Sequence, residues 1–205
     1  DCTTAPSPRR ARIFAAEKGI KLDKVEVDLA KGEHLSESFK RINPRCTVPA
    51  LELEDGTVIA DNLAIADYLE SIQPQPALLG NTPTQRALTL QLNNRIELEG
   101  LMALAEVLRN SSRGLKDRAL TGPVNFAQIP ALAERGRARF QYFFPILDEQ
   151  LGEQEFLLGD HFSLADISAF VTTEFARWIK EEIPQSCPRL QTWYARVKAR
   201  PGSSA

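Results

Sequence analysis

Asn43-Pro44-Arg45-Cys46-Thr47-Val48-Pro49-Ala50-Leu51 is a loop that carries two prolines and runs straight into a strand-like segment. Proline is tolerated where a strand begins, because its missing N–H lies outside the hydrogen-bond ladder. A cis Val48-Pro49 bond would present the Val48 backbone to an extended ligand, which could then pair as an added strand. Immediately downstream, Ala50–Ala60 reads ALELEDGTVIA, two apolar-alternating runs flanking Asp55-Gly56. That dipeptide accepts the positive φ angles of a tight turn, so the stretch predicts a β-hairpin.

Outward from the hairpin, strand-like and helix-like segments alternate. Residues 34–42 read as a short helix that ends before Asn43-Pro44, and Lys24–Leu29 alternates through Val25 and Val27 as a half-buried strand should. Residues 8–19 carry Ala11, Phe14 and Ala15 at i, i+3, i+4 with Gly19 as a stop. Ser7-Pro8 supplies a serine to cap that helix and a proline for its first position. On the other side of the hairpin, Asn62 is placed to cap a third helix striped by Ile65, Tyr68, Leu69 and Ile72. Residues 1–74 thus read as a small α/β layer structure.

Residues 73–83, QPQPALLGNTP, break the pattern with linker composition, and 75–83 is taken as the linker itself. From 84 to 205 every periodic segment is helical. Leu88, Leu92, Ile96, Leu101, Ala105 and Leu108 mark a long helix, and Phe140, Phe143, Phe144, Leu147 and Leu151 mark another. Pro145 inside the second should kink it or cost ~3 kcal/mol. Leu164, Ile167, Val171, Phe175 and Trp178 stripe a third, and Leu190, Trp193, Tyr194 and Val197 a last. Ser163 followed by Asp166 predicts a reciprocal helix cap, a structural role.

Composition excludes several classes. Among 205 residues, 43% are hydrophobic and 25% charged, with a formal net charge of -2. A nucleic-acid or membrane-surface binder would need a basic surplus. No apolar run approaches the ~20 residues of a membrane span, and no secretory leader pattern opens the sequence. Cys2, Cys46 and Cys187 form no C-x-x-C pair, so neither a dithiol site nor a metal site is expected, and a reducing cytoplasm is the natural setting.

Three places could carry chemistry. Ser7 either caps its helix or donates its hydroxyl to an anion at the positive end of the helix dipole. A thiolate there would gain from both, and lowering a thiol from about 8.5 by two units needs only about 2.7 kcal/mol. Arg9, Arg10 and Arg12 read as a solvated face, or as a positive field favouring an anionic ligand. Asp61-Asn62 are either caps or a site where helix N–H groups hold a carboxylate and Asp61 accepts from an ammonium. Cys46 reads as incidental.

Together these segments resemble the glutathione transferase family over nearly the whole chain. The pieces that carry the resemblance are SPRRARIFAAEKGI at 7–20, NPRCTVPAL at 43–51, DNLAIADYL at 61–69 and FSLADIS at 162–168. It implies a thioredoxin-like α/β domain followed by an all-helical domain, and usually a homodimer. It implies a cis Pro49, with the Val48 backbone pairing to the cysteinyl part of glutathione and Asp61-Asn62 at the γ-glutamyl end. His34 matches a position that contacts the glycyl carboxylate in theta-like members, and Thr47 replaces a frequent lysine or glutamine. The hydroxyl of theta- and zeta-like members would fall on Ala5, which has none. Ser7, at the cysteine position of beta-class members, is therefore the expected thiolate donor, with Thr4 next. No tyrosine is available, and the serine-rich opening of the zeta-type isomerases is missing.

The resulting expectation is a cytoplasmic enzyme that adds glutathione thiolate to small hydrophobic electrophiles, with glutathione as co-substrate. Glutathione-dependent reduction of peroxides or disulfides is the alternative. A non-catalytic binding or interaction protein of the same fold is the third.

Overall fold

A computed structural model describes all 205 residues. The hairpin forms where Asp55-Gly56 predicts it. Strand β1 (Leu51–Glu52) pairs antiparallel with β2 (Val58–Ile59), with Leu51 opposite Ile59. Gly56 has φ +82, and Asp55 Oδ1 accepts the Thr57 N–H at 2.9 Å.

The expected strand at Lys24–Leu29 is not one. The Val27 N–H donates to the Asp1 carbonyl at 2.8 Å, and the Asp1 amino group donates to the Val25 carbonyl at 2.9 Å. That is the pattern of a parallel bridge opposite Glu26, and Val25 beside it is exposed.

Helix α1 (Pro6–Glu17) starts two residues earlier than expected and ends before Gly19, whose φ is +68. The 34–42 segment divides into a 3-10 turn at Glu33–Leu35 and α2 (Glu37–Ile42), capped by Ser36, whose hydroxyl accepts the Phe39 N–H at 3.2 Å. Helix α3 (Asn62–Ile72) follows the hairpin and packs on α1.

The long helix of the second half is continuous from α4 (Pro83–Arg95) through a π-helical segment at Ile96–Leu101 into α5 (Met102–Ser111). The remaining helices are α6 (Pro130–Phe140), α7 (Phe143–Leu151), α8 (Leu164–Ala176) and α9 (Pro188–Lys198). Pro145 kinks nothing. The expected single helix is interrupted at Gln141-Tyr142, and Pro145 is the third residue of α7. A first-turn residue has no intrahelical acceptor for its N–H, so proline loses nothing there.

Helix α8 is buried on nearly every side, as befits a helix apolar all round, and it contacts α1, α4 and α9. One hydrophobic core runs from Ile13, Phe14 and Leu69 through Leu104 and Phe140 to Phe170 and Trp193. The two halves therefore share a core. A buried ion pair pins the connection between them. Lys18 Nζ lies 2.6 Å from Glu70 Oε2 and donates to the Gln73 and Pro76 carbonyls at 2.6 and 2.7 Å. Glu70 in turn accepts the Leu79 N–H at 2.9 Å.

Within the π-helical segment position 100 must be glycine, because an added Cβ would run into the Phe143 ring. Gly100→Ala should gain about 1 kcal/mol of helix propensity. Overpacking against the ring should cost about 1–3 kcal/mol, and the clash wins. A lower urea midpoint at unchanged slope is the expected result; a raised midpoint would show that the ring yields freely.

Candidate functional site

Ser7 is not the cap of α1. Pro6, with its fixed φ, takes the first helical position, so Ala5 becomes the N-cap at φ -80, ψ 140, with no side-chain hydrogen bond. Pro6 and Pro8 have no N–H, and Arg9 N–H reaches the Ala5 carbonyl at 3.4 Å. Ser7 is left as the one first-turn residue whose N–H has no partner in the protein, and its hydroxyl has none either. Two donors on one half-buried residue therefore sit free at the positive end of a helix. The Pro6-Ser7-Pro8 alternation carries this signal, since the two prolines flanking Ser7 have no N–H to offer.

The neighbouring hydroxyls are committed. Thr3 Oγ1 donates to Glu26 Oε2 at 2.8 Å, and exposed Thr4 lies with Oγ1 3.6 Å from Cys2 Sγ. The arginines form neither a solvated face nor a free positive field. Arg10 and Arg12 are buried and pair with Glu97 and Asp1 respectively. Arg9 lies over the Phe170 ring and donates to the Ser203 carbonyl at 3.0 Å. The reason is packing: α1 is sandwiched between α3 and α8, so its cations must find partners.

The Val48-Pro49 peptide is cis, and neither the N–H nor the carbonyl of Val48 has a hydrogen-bond partner in the protein. Asn43 Nδ2 braces this loop from behind, donating to the Thr47 carbonyl at 2.8 Å and to Thr47 Oγ1 at 3.1 Å. The Thr47 side chain is thus tied to the loop. Cys46 is buried in the left-handed region at φ 54, its thiol 3.8 Å from the Pro44 carbonyl, and plays a part in the turn.

Asp61, not Asn62, caps α3. Its Oδ1 accepts the Leu63 N–H at 3.0 Å from an extended backbone, and Asn62 becomes the first helical residue. Asn62 Oδ1 is buried without a partner. His34 stands in the 3-10 turn with Nδ1 buried and unpartnered. Burial first, then the charges of Arg118 and Arg109, hold its imidazole below the ordinary histidine value.

The family model "Glutathione S-transferase, N-terminal domain" matches residues 4–72, and the corresponding C-terminal domain model matches 130–196. "Glutathione S-transferase 2" of Saccharomyces cerevisiae is 35% identical over 204 residues, covering 98% of this chain and 85% of that protein. The chain belongs to the glutathione S-transferase family. Its fold is accordingly a thioredoxin-like N-terminal domain followed by a helical C-terminal domain. Among solved structures, a glutathione S-transferase domain-containing protein from Marinobacter aquaeolei superposes with a TM-score of 0.90 at 38% identity, covering 99% and 98% of the two chains. The maleylacetoacetate isomerase of Rattus norvegicus is 32% identical over 77% of this chain and 68% of its own, so membership in the transferase family does not by itself fix the reaction. No helix of this transferase-family chain is long and apolar enough to cross a membrane.

Proposed function

We propose that the protein binds glutathione along Val48 and holds its sulfur at Ser7 as a thiolate, which adds to small apolar electrophiles. The observation that carries this is the pair of free donors on Ser7. A thiolate is stabilised by hydrogen bonds and a helix dipole more than a thiol is, so its pKa falls. The unpaired Val48 backbone supports an extended peptide ligand, and the cysteinyl residue of glutathione has the matching N–H and carbonyl. At the γ-glutamyl end, Asp61 keeps Oδ2 for an ammonium, and Asn62 has a buried side-chain oxygen without a donor. Thr47 has its hydroxyl proton to give.

Catalysis then consists of positioning and thiol activation, without an acid–base set. In this reading residues 1–74 hold glutathione, 75–83 connect, and 84–205 supply the electrophile pocket. The protein works in the cytoplasm as a homodimer. Exposed Leu88 on α4, Leu98 in the π-helical segment and Met102 on α5 support a contact surface there.

The test is the thiol pKa of bound glutathione, followed by thiolate absorbance. Wild type should lie roughly two units below the free value of about 8.5. Ser7→Ala should recover at least about one unit, which is about 1.4 kcal/mol. An unchanged pKa in the variant rejects Ser7 as donor. Retention on immobilised glutathione separates an enzyme from a fold without the ligand. Parallel assays with an aryl halide, a hydroperoxide and a glutathione disulfide separate conjugation from reduction.

A further inference from the structure

Residues 112–129 contain little regular structure, yet they are firmly built. Gln128 Nε2 donates to the Arg109 and Ser112 carbonyls at 2.7 Å each, and the Ile129 N–H donates to Asn110 Oδ1 at 3.0 Å, so both ends of the loop are fastened to the end of α5. Inside it, the Phe126 N–H donates to the Asp117 carbonyl at 2.9 Å and the Ala119 N–H to the Phe126 carbonyl at 3.1 Å. Ala119 and Gly122 are buried. Gly122, at φ +113, brings the loop against the first domain, where a Cβ on it would lie 3.6 Å from the Arg45 carbonyl oxygen. Arg45 is three residues from Val48.

The exposed part of this loop is apolar. Leu120, Val124, Phe126 and Ile129 are 51, 57, 46 and 52% exposed. Single exposed apolar residues are ordinary, but four large ones gathered on one braced loop are not. Cations flank them. Arg45, Arg113 and Lys116 are exposed and Arg118 is half-buried, and none of the four has a carboxylate within ion-pair distance. Arg118 is fixed instead by neutral acceptors, the Gly122 carbonyl at 2.7 Å and Asn125 Oδ1 at 2.9 Å. Asp117 is the only acid between Glu106 and Glu134. The overall net charge of -2 therefore hides a local basic surplus.

We propose that this loop is a docking surface for an anionic lipid bilayer, which the protein meets peripherally. Cations alone would suit any polyanion. Apolar side chains standing among them suit a lipid interface, where headgroup phosphates meet the cations and acyl chains meet the apolar tips. A nucleic acid offers the charges without an apolar layer. Because the loop is already ordered, docking loses little chain entropy. The surface given above to a second copy ends at Met102, and about 14 Å of helix separates Met102 from Ser111, so the loop stays free. Docking does not rest on the glutathione reading. It would hold the Arg45–Val48 loop near a bilayer, in which apolar electrophiles dissolve.

Co-sedimentation with vesicles of phosphatidylcholine and phosphatidylglycerol in about equal parts, compared with phosphatidylcholine alone, tests the surface. Wild type should partition at least about tenfold more strongly onto the anionic vesicles, and added salt should weaken it. Leu120→Ser combined with Phe126→Ser should lower that partition at least about tenfold, and Lys116→Gln about fivefold, with thermal unfolding unchanged in both. Wild type that stays in solution with both vesicles overturns the proposal. So does equal partition onto the two vesicles, or a partition unchanged in both variants. Light scattering without lipid supplies the rival occupant: a dimer that dissociates in the double serine variant gives this face to a second copy and overturns lipid docking. Retention on immobilised glutathione is read separately, so the docking surface and the proposed function can each fail alone.

Discussion

Asp166→Ala is expected to destabilise the protein by about 4 kcal/mol or more, a loss beyond the ordinary range of single substitutions. The carboxylate is wholly buried and accepts four hydrogen bonds. Oδ1 takes the Leu157 N–H at 3.0 Å and the Trp193 indole N–H at 2.9 Å, and Oδ2 takes the Ser163 N–H at 3.0 Å and hydroxyl at 2.8 Å. Burial pushes the carboxyl up from its ordinary value, and the four donors pull it the other way. Alanine leaves three N–H groups and a hydroxyl buried and unpaired, each costing about 1–3 kcal/mol. Removing a buried charge offsets only part of that.

Asp166→Asn should fall between wild type and alanine. Its oxygen can keep the Leu157 and Trp193 bonds, while its NH2 group meets the Ser163 N–H donor to donor. Urea denaturation followed by Trp193 fluorescence measures both. An asparagine variant as unstable as the alanine variant would mean that charge, and not donor satisfaction, holds the site. The cap predicted at Ser163 and Asp166 is therefore a four-way junction tying the start of α8 to α9 and to the 157 loop.

Lys18→Met should cost about 3–5 kcal/mol, because breaking a buried pair strands the remaining charge. The Lys18 ammonium is fully enclosed with a carboxylate and two carbonyls. Methionine fills the stem's volume and satisfies none of them. Glu70→Leu should cost a similar amount, and the double variant less than the sum, since neither charge is then left alone. It should not recover wild-type stability, because the Leu78 and Leu79 N–H groups lose their acceptor. Thermal unfolding of the four proteins gives the cycle, and amide exchange at Leu79 reports the linker directly. Strict additivity would refute the pairing. The network ties α1 and α3 to the segment that leads into the helical half.

The hairpin, the cap at Ser163, the stop at Gly19 and the helical second half were legible because local rules decide them: turn residues, capping residues and apolar periodicity. The cis proline loop was legible as a motif. Local rules failed where a partner or a neighbour decided the outcome. Pro145 looked like a kink because its turn could not be numbered before the break at Gln141-Tyr142 was known. Arg10 and Arg12 looked solvated because Glu97 and Asp1 are distant or unremarkable in sequence.

By itself the sequence determined that this chain carries a glutathione-transferase-type loop and hairpin and a two-part architecture, since four short motifs in order leave few alternatives. Only the tertiary structure decided which serine donors are free and which acids Arg10 and Arg12 meet. Those are matters of hydrogen-bond satisfaction and of charge brought together from distant segments, and neither is a property of any one stretch of chain.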